Sequence, residues 1–176
     1  MYLWTPDSFA AMRTRLATMA DADAIVEIYN REVTEGTATF DMVARTAAEQ
    51  AAWMRDHSGA YPCIVAVPDG DGEVLGWACL SPYRTRPAYS TSVEDSVYVH
   101  RDHHGRGVGS LLLGDLVALA DGHGFHAVFA RIADAGAASV ALHSKHGFEL
   151  VGVEREVGRK FGRWLDVTLM QRLRPA

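Results

Sequence analysis

The sequence has little cysteine, no long apolar run and no excess of positive charge. Its two cysteines, Cys63 and Cys79, lie in apolar segments without the spacing of a metal site, so we expect two buried, reduced thiols. No apolar run approaches the roughly 20 residues that a membrane-spanning helix needs. The first residues also lack the charged start and apolar stretch of a secretory signal. These absences predict a cytoplasmic protein with no membrane partner.

The charge balance argues against a nucleic-acid partner. The formal net charge is −5, and basic residues gather only locally, at 101–106 and 155–163, whereas a nucleic-acid-binding domain normally presents a basic face. The 176 residues, 48% hydrophobic and 22% charged, suit one globular domain with its own core. Residues 1–11 show no clear period and are interpreted as an N-terminal extension, which leaves 12–176 as the domain.

Hydrophobic periodicity predicts strands interleaved with helices. Strands follow from alternating or β-forming runs, and helices from apolar residues at helical spacing. The clearest feature is a hairpin in which a turn at 69–72 joins two strands. This order is typical of a mixed α/β sheet. We predict strands at 13–17, 61–67, 74–80, 91–100, 127–132, 148–153 and 164–173, and helices at 22–31, 46–57, 107–120 and 137–146.

A strand that carries two acids leads into a glycine-rich basic turn, Arg106-Gly107-Val108-Gly109-Ser110, which opens a helix. Glycines let main-chain N–H groups approach a ligand closely, and a helix N-terminus adds positive partial charge, so a phosphate or pyrophosphate is the natural ligand. A plain tight turn is the alternative. The Gly-Lys-Ser/Thr ending of a P-loop is missing, and Arg106 and Ser110 break the dinucleotide-binding spacing.

The run from 97 to 109 resembles the acetyl-CoA motif of the GNAT superfamily of N-acetyltransferases. The usual Gln/Arg-x-x-Gly-x-Gly/Ala is His104-Gly105-Arg106-Gly107-Val108-Gly109 in this chain. The segments 93–99, 142–148 and 160–166 more narrowly resemble phosphinothricin and methionine-sulfoximine N-acetyltransferases, and the resemblance spans about 13–171. It implies a GNAT fold, with a mostly antiparallel central sheet, a splayed strand pair and helices on both faces. It also implies acetyl-CoA as co-substrate, a small-molecule amine as acceptor and a homodimer.

The resemblance also implies which residues bind the cofactor. One central strand would border the pantetheine arm, and the glycine turn would hold the pyrophosphate. Two positions depart from the family: His104 replaces the usual glutamine or arginine, and Gly136 replaces an asparagine, whose contact Asp134 or Ser139 would supply. The expected cofactor-binding residues are Val97, Tyr98, Val99, Gly105, Arg106, Gly107, Val108, Gly109, Ser110 and Gly136.

Acetyl transfer to an amine requires a base for the ammonium proton and an acid for the leaving thiolate. The resemblance assigns the base to Glu94 and the acid to His143, whose ordinary pKa near ~6.5 suits proton transfer. A surface glutamate and a packing histidine are the alternatives. Strand alternation predicts that Glu94 and Ser96 share one face and that Asp95 lies on the other. His143 and His146 are three apart on one predicted helix, and three more histidines cluster at 100, 103 and 104. Neither set has a carboxylate or cysteine that would complete a metal site, so we expect no metal.

The resemblance implies that the substrate is a small amino acid or a glutamate or methionine analogue, whose carboxylate an arginine would bind. Lys160 and Arg163 are further candidates, and Tyr29, Phe40 and Trp164 would either line the pocket or pack in the core. An acetyltransferase for another amine (an antibiotic, a polyamine or a protein N-terminus) and a non-catalytic acyl-CoA sensor remain alternatives. The expected substrate-binding residues are Arg84, Thr85, Arg86, Glu94, Asp95 and Ser96.

Overall fold

Strands and helices alternate along the chain, as the periodicity predicts. The computed structural model describes residues 11–70, 72–134 and 136–175, so most of the predicted extension at 1–11 and residue 71 of the predicted turn lie outside the described residues. The elements in chain order are β1 (Met12–Leu16), α1 (Ala22–Glu35), α2 (Ala47–Asp56), β2 (Cys63–Pro68), β3 (Gly76–Pro82), β4 (Ser92–Val99), α3 (Val108–Gly122), β5 (Ala127–Ala133), α4 (Ala137–Lys145), β6 (Glu149–Lys160) and β7 (Arg163–Leu173).

Within the described residues, seven strands form one sheet in the order β1-β2-β3-β4-β5-β7-β6. The predicted hairpin is confirmed, because β2 and β3 pair antiparallel. In the same residues the β4–β5 pair is parallel and the other neighbouring strands are antiparallel. The sheet is therefore mixed and mostly antiparallel, as expected.

The central strands β4 and β5 pair over a short stretch and then separate. Their register covers Ser92–Glu94 against Ala127–Phe129 and goes no further within the described residues. Both strands continue beyond it, β4 to Val99 and β5 to Ala133. On its other edge β4 stays paired with β3 up to Val99. The predicted splayed pair is therefore present, and it leaves main-chain groups of β4 free to bind a ligand.

Helices cover both faces of the sheet. The buried face of α3, including Leu112 and Leu116, packs with Val93 of β4 and Val128 of β5 in one core cluster. On the opposite face, α1 and α2 pack against Trp77 and its neighbours in a second cluster. Two separate cores hold the sheet between them, so the position at which β4 and β5 separate is fixed from both sides.

The largest error of the sequence-based assignment is at β6. The sequence predicts a strand at 148–153, but β6 runs from Glu149 to Lys160. Its pairing with β7 shifts register between Leu150 and Gly152 and again between Glu154 and Gly158. Such bulges interrupt the alternation of side chains on which the prediction depends. Helix α1 likewise ends at Glu35 rather than at 31, and β3 begins at Gly76 rather than at 74.

Candidate active site

A cavity of about 630 Å³ opens where β4 and β5 separate. Its walls come from α1, the loop after α1, the separated halves of β4 and β5, and the start of α4. This volume lies in the range of small-molecule sites. The predicted site residues that the cavity brings together are Glu94, Asp95, Ser96, Val97, Tyr98, Gly136 and His143.

Glu94 is half-buried at the point of separation, and its carboxylate has no hydrogen-bond partner among the described residues. Its main chain forms the last paired position with β5, opposite Phe129. Burial raises the pKa of Glu94, and the positive charge of Arg131 on β5 opposes that rise. A carboxylate without a partner and with a raised pKa is suited to accept a proton near neutral pH.

His143 lies on α4 and is buried, as is Asp95 on β4. Nε2 of His143 is 3.0 Å from Oδ2 of Asp95, and Nδ1 is 2.7 Å from the main-chain oxygen of Ser139. Burial alone would lower the pKa of His143, but the hydrogen bond and charge of Asp95 outweigh it, so the pKa is raised. Asp95 therefore faces α4, on the opposite side of β4 from Glu94, as strand alternation predicts.

The glycine turn before α3 has the geometry of an anion site. Gly105 and Gly107 adopt positive φ angles of 73° and 86°, which favour glycine. A Cβ at Gly105 would meet nothing within 4 Å, so space lies open against the turn. The first turn of α3 has no acidic residue, and the helix N-terminus is left to attract an anion from outside the protein.

Sequence reasoning did not identify Lys145, which adds a positive charge at this turn. From the end of α4, its Nζ donates to Oγ of Ser110 at 2.9 Å. Ser110 Oγ is also 3.0 Å from Nε2 of His146. The spacing of three residues between His143 and His146 was visible in the sequence, but their different environments were not. A cation and a helix N-terminus at one place strengthen the attraction for an anionic ligand.

The chain matches the model of the acetyltransferase (GNAT) domain over residues 14–169. It is 41% identical over 165 residues to a phosphinothricin N-acetyltransferase of Streptomyces coelicolor, covering 93% of this chain and 96% of that protein. It is 42% identical over 159 residues to an L-methionine sulfoximine/L-methionine sulfone acetyltransferase of Pseudomonas paraeruginosa, covering 89% and 91%. The chain belongs to the GNAT acetyltransferase family.

The structural comparison agrees with this GNAT membership. A crystal structure of a GNAT superfamily phosphinothricin acetyltransferase from Sinorhizobium meliloti, in complex with acetyl-CoA, superimposes with a TM-score of 0.88 at 40% identity, covering 92% of this chain and 88% of that one. Acetyl-CoA is the cofactor of this GNAT chain, and its residues fit that ligand. The open glycine turn suits a pyrophosphate, and the unpaired edge of β4 suits the amides of pantetheine.

The structure shows the surroundings of both residues that depart from the GNAT motif. His104 Nε2 is 3.0 Å from the main-chain oxygen of Val99, so its ring holds the glycine turn against the end of β4. A Cβ at Gly136 would approach the side chain of Ile132 at 3.3 Å, so the site is tight for a larger residue. Asp134, one proposed substitute for the asparagine, instead accepts hydrogen bonds from Thr37 and Arg163.

The substrate-binding candidates separate into two groups. Arg84, Thr85 and Arg86 lie exposed in the loop between β3 and β4 and do not line the cavity. The positive charge of Arg84 nevertheless reaches Glu94 and lowers its pKa slightly against the larger effect of burial. Trp164 is also exposed and away from the cavity.

Tyr29 and Phe40 both line the cavity, as the resemblance allowed. The hydroxyl of Tyr29 donates to Asp41, and the ring of Phe40 packs against Gly158, where a Cβ would overlap it. Lys160 is buried, and its ammonium donates to the main-chain oxygens of Glu32 and Thr39. These contacts attach the loop after α1 to the hairpin of β6 and β7, and so form one wall of the cavity.

Within the described residues, no group of three or more His, Cys, Asp or Glu side chains could hold a metal ion. In the same residues, no helix is long and apolar enough to cross a lipid bilayer.

Proposed function

We propose that this chain transfers the acetyl group of acetyl-CoA to the α-amino group of a small amino acid or of a glutamate or methionine analogue such as phosphinothricin, methionine sulfoximine or methionine sulfone. The observation that carries the proposal is the unpartnered, half-buried carboxylate of Glu94 in a cavity of small-molecule size. The names of the relatives described above favour these substrates.

The cofactor would bind along the separated half of β4 and at the glycine turn. Main-chain groups of Val97, Tyr98 and Val99 would bind the pantetheine arm, and those of the turn from 105 to 110 would bind the pyrophosphate. When bound, acetyl-CoA supplies an activated acetyl group as a thioester. Gly136 borders the cavity but offers no side chain, so only its main chain would contribute.

Glu94 would accept the proton that the substrate ammonium must lose before it can attack. An amine of ordinary pKa near ~10 is almost wholly protonated at neutral pH, so this step limits the reaction without a base. General base catalysis contributes roughly 10²–10⁴ in rate. His143, in its protonated form, would serve the leaving thiolate as acid, which requires that one of its hydrogen bonds to Asp95 or Ser139 be broken first.

The substrate carboxylate would be bound by the loop between β3 and β4. Arg84 is the first candidate, because its charge reaches Glu94, and Thr85, Arg86 and Ser96 complete the neighbourhood. An arginine can bind a carboxylate through two parallel hydrogen bonds. Such binding would hold the α-amino group of a small amino acid beside Glu94.

Direct transfer is favoured over an acyl-cysteine intermediate. Cys63 and Cys79 are both buried, and burial raises the pKa of Cys79 to about 12. A thiol in that state is a poor nucleophile at neutral pH. The two free thiols lie opposite each other on β2 and β3, which suits a reducing, cytoplasmic setting.

A homodimer formed along β6 is part of the proposal. This strand lies at the edge of the sheet, and Leu150, Val151, Val153 and Val157 on it are all at least 47% exposed. An exposed edge strand with apolar side chains is a site where chains associate. Sedimentation of the purified protein, with and without a Val153→Lys substitution, would measure this association.

The deciding experiment measures thiol release from acetyl-CoA with phosphinothricin, methionine sulfoximine, methionine sulfone, ordinary amino acids and spermidine as substrates. Turnover on the glutamate and methionine analogues alone is the expected result. Turnover on spermidine or another amine would replace the proposed substrate class. Binding of acetyl-CoA without turnover on any amine would favour the acyl-CoA sensor.

A further inference from the structure

We propose that Asp95 is a positioning residue, which holds His143 as an imidazolium in one ring orientation beside the point where β4 and β5 separate. The effect on catalysis rests on the function proposed above. The protonation state of His143 does not, because it is a property of the free protein. The sequence suggested a different role for Asp95, as part of the substrate site.

The hydrogen bonds of His143 define its protonation state. The nearest partner of Nδ1 is the main-chain oxygen of Ser139 at 2.7 Å, which can only accept, and the hydroxyl of Ser139 lies further away at 3.4 Å. The partner of Nε2 is a carboxylate, which also accepts when ionised. Both ring nitrogens therefore donate, as they do only in the imidazolium form. Because one nitrogen is hydrogen-bonded to α4 and the other to β4, the ring is held in one orientation.

His143 and Asp95 are both shielded from solvent, so the charge of each depends on that of the other. The side chains of His143 and Asp95 are 4% and 2% exposed. Oδ1 of Asp95 is buried and has no hydrogen-bond partner among the described residues. The imidazolium is thus the group that compensates the buried carboxylate, and a buried charge without such compensation is costly. Loss of the proton from His143 would leave Asp95 without a countercharge.

Other ionisable groups near the pair do not replace either partner. Glu94 lies on the opposite face of β4, and its charge is opposed by Arg131 of β5. Cys79 on β3 is a buried thiol whose raised pKa keeps it neutral. His146 on α4 bonds to Ser110 instead, and its pKa is lowered by burial and by the charges of Lys145 and His143.

The consequence is an imidazolium ring of fixed orientation at the wall of the cavity, which His143 lines, with its charge paired to that of Asp95. A preoriented positive group stabilises negative charge that develops in a reaction, as on a departing thiolate. Asp95 would act through His143, without contact to the substrate. Its removal should therefore change the pH at which activity is lost more than it changes binding.

The test is a pH titration of the His143 ring by NMR in the free, full-length protein, with the resonance assigned by its absence in His143→Gln. We expect His143 to lose its proton above the ordinary value of about 6.5. In Asp95→Asn the midpoint should fall by about one pH unit or more. Asp21→Asn is the matched control, because Asp21 is also buried and ion-paired, with Arg15 at 2.7 Å, and should leave the titration of His143 unchanged.

Activity provides the second readout. Asp95→Asn should lower kcat about 10- to 100-fold, with little change in KM, and should move the alkaline limb of the pH profile to lower pH. A wild-type His143 that titrates at or below about 6.5 would overturn the proposal, even if Asp95→Asn failed to fold. If the His143 midpoint falls in Asp95→Asn as expected but the wild-type protein transfers no acetyl group to any amine, the role of Asp95 is retained and the proposed function is refuted.

Discussion

Lys160 and Thr39 lie 121 positions apart in the chain, yet the ammonium of Lys160 donates to the main-chain oxygen of Thr39 at 2.8 Å. The same ammonium donates to the main-chain oxygen of Glu32 at 3.0 Å. One buried cation therefore joins the end of β6 to the end of α1 and to the loop that follows. This loop forms a wall of the cavity, so the contact links the stability of the fold to the shape of the site.

Lys160→Met should destabilise the protein and weaken substrate binding. The main-chain oxygen of Thr39 would lose its donor, at a cost of about 1–3 kcal/mol, whereas that of Glu32 would keep the main-chain N–H of Gly36. We expect a lower Tm and a KM for the amine that rises more than the KM for acetyl-CoA. Arg159→Met is the control, because Arg159 is exposed and its guanidinium lies over Trp164. Equal losses in the two variants would show that Lys160 has no special role.

Glu94→Gln should lower activity and raise stability at the same time. Without the base, kcat should fall by roughly 10²–10⁴ at neutral pH and recover partly at high pH, where more of the amine is free. Burial raises the pKa of Glu94 in the folded state, so its ionised form costs stability once the pH exceeds that value. Thermal melts should show a higher Tm for the variant near pH 7 and little difference near pH 4. An unchanged rate across this range would exclude Glu94 as the base.

Gly107→Val should raise the KM for acetyl-CoA. The positive φ of 86° is strained for valine, and its side chain would occupy the space that the ligand needs. Gly124→Val is the matched control, since Gly124 follows the other end of α3 with a φ of 84°. Similar strain is expected in both variants, so Tm should fall in both. A rise in KM that is equal in both would contradict the role of the turn as an anion site.

The pair of His143 and Asp95 should give stability a characteristic dependence on pH. A histidine whose pKa is raised by folding stabilises the protein fully below its unfolded pKa of about 6.5, and this contribution is lost as the pH rises through the folded pKa. The difference in free energy of unfolding between wild type and Asp95→Asn should therefore be largest near pH 6 and shrink towards pH 9. Urea unfolding at a series of pH values measures it.

The pH dependence of the stability that Asp21 contributes should be opposite to that of the His143–Asp95 pair. The hydrogen bond from Arg15 lowers the pKa of Asp21 against the effect of burial, so its contribution is present above the unfolded pKa and is lost only in acid. The difference between wild type and Asp21→Asn should stay constant from pH 6 to pH 9. A constant difference for Asp95→Asn as well would mean that His143 does not change its charge in this range.

Sequence patterns predicted those strands and helices that a short run of residues is enough to define. The hairpin of β2 and β3 follows from two β-forming runs around a turn, and α3 from apolar residues at helical spacing after a glycine turn. Strand β6 was underestimated because its bulges at Gly152 and Gly158 break the alternation. The family resemblance supplied the splayed strands, which periodicity alone does not reveal.

The chemistry of the site was predicted less completely, because its contacts are distant in sequence. Alternation placed Asp95 on the face away from Glu94, but not its pairing with His143, 48 positions further along the chain. Lys160 was a candidate for the substrate, whereas its ammonium bonds to main-chain oxygens. Such pairings depend on how helices cross the sheet, and no single segment of sequence contains that information.

The separation of β4 from β5 also has a consequence for aggregation. Unpaired main-chain groups usually lie on the outer strands of a sheet, where another polypeptide can add a strand and begin an aggregate. In this protein a further set of unpaired main-chain groups lies in the middle of the sheet, between β4 and β5 and beside the loop after α1. The amides and carbonyls that this chain keeps for a ligand are thus withdrawn from the surface at which other chains collide.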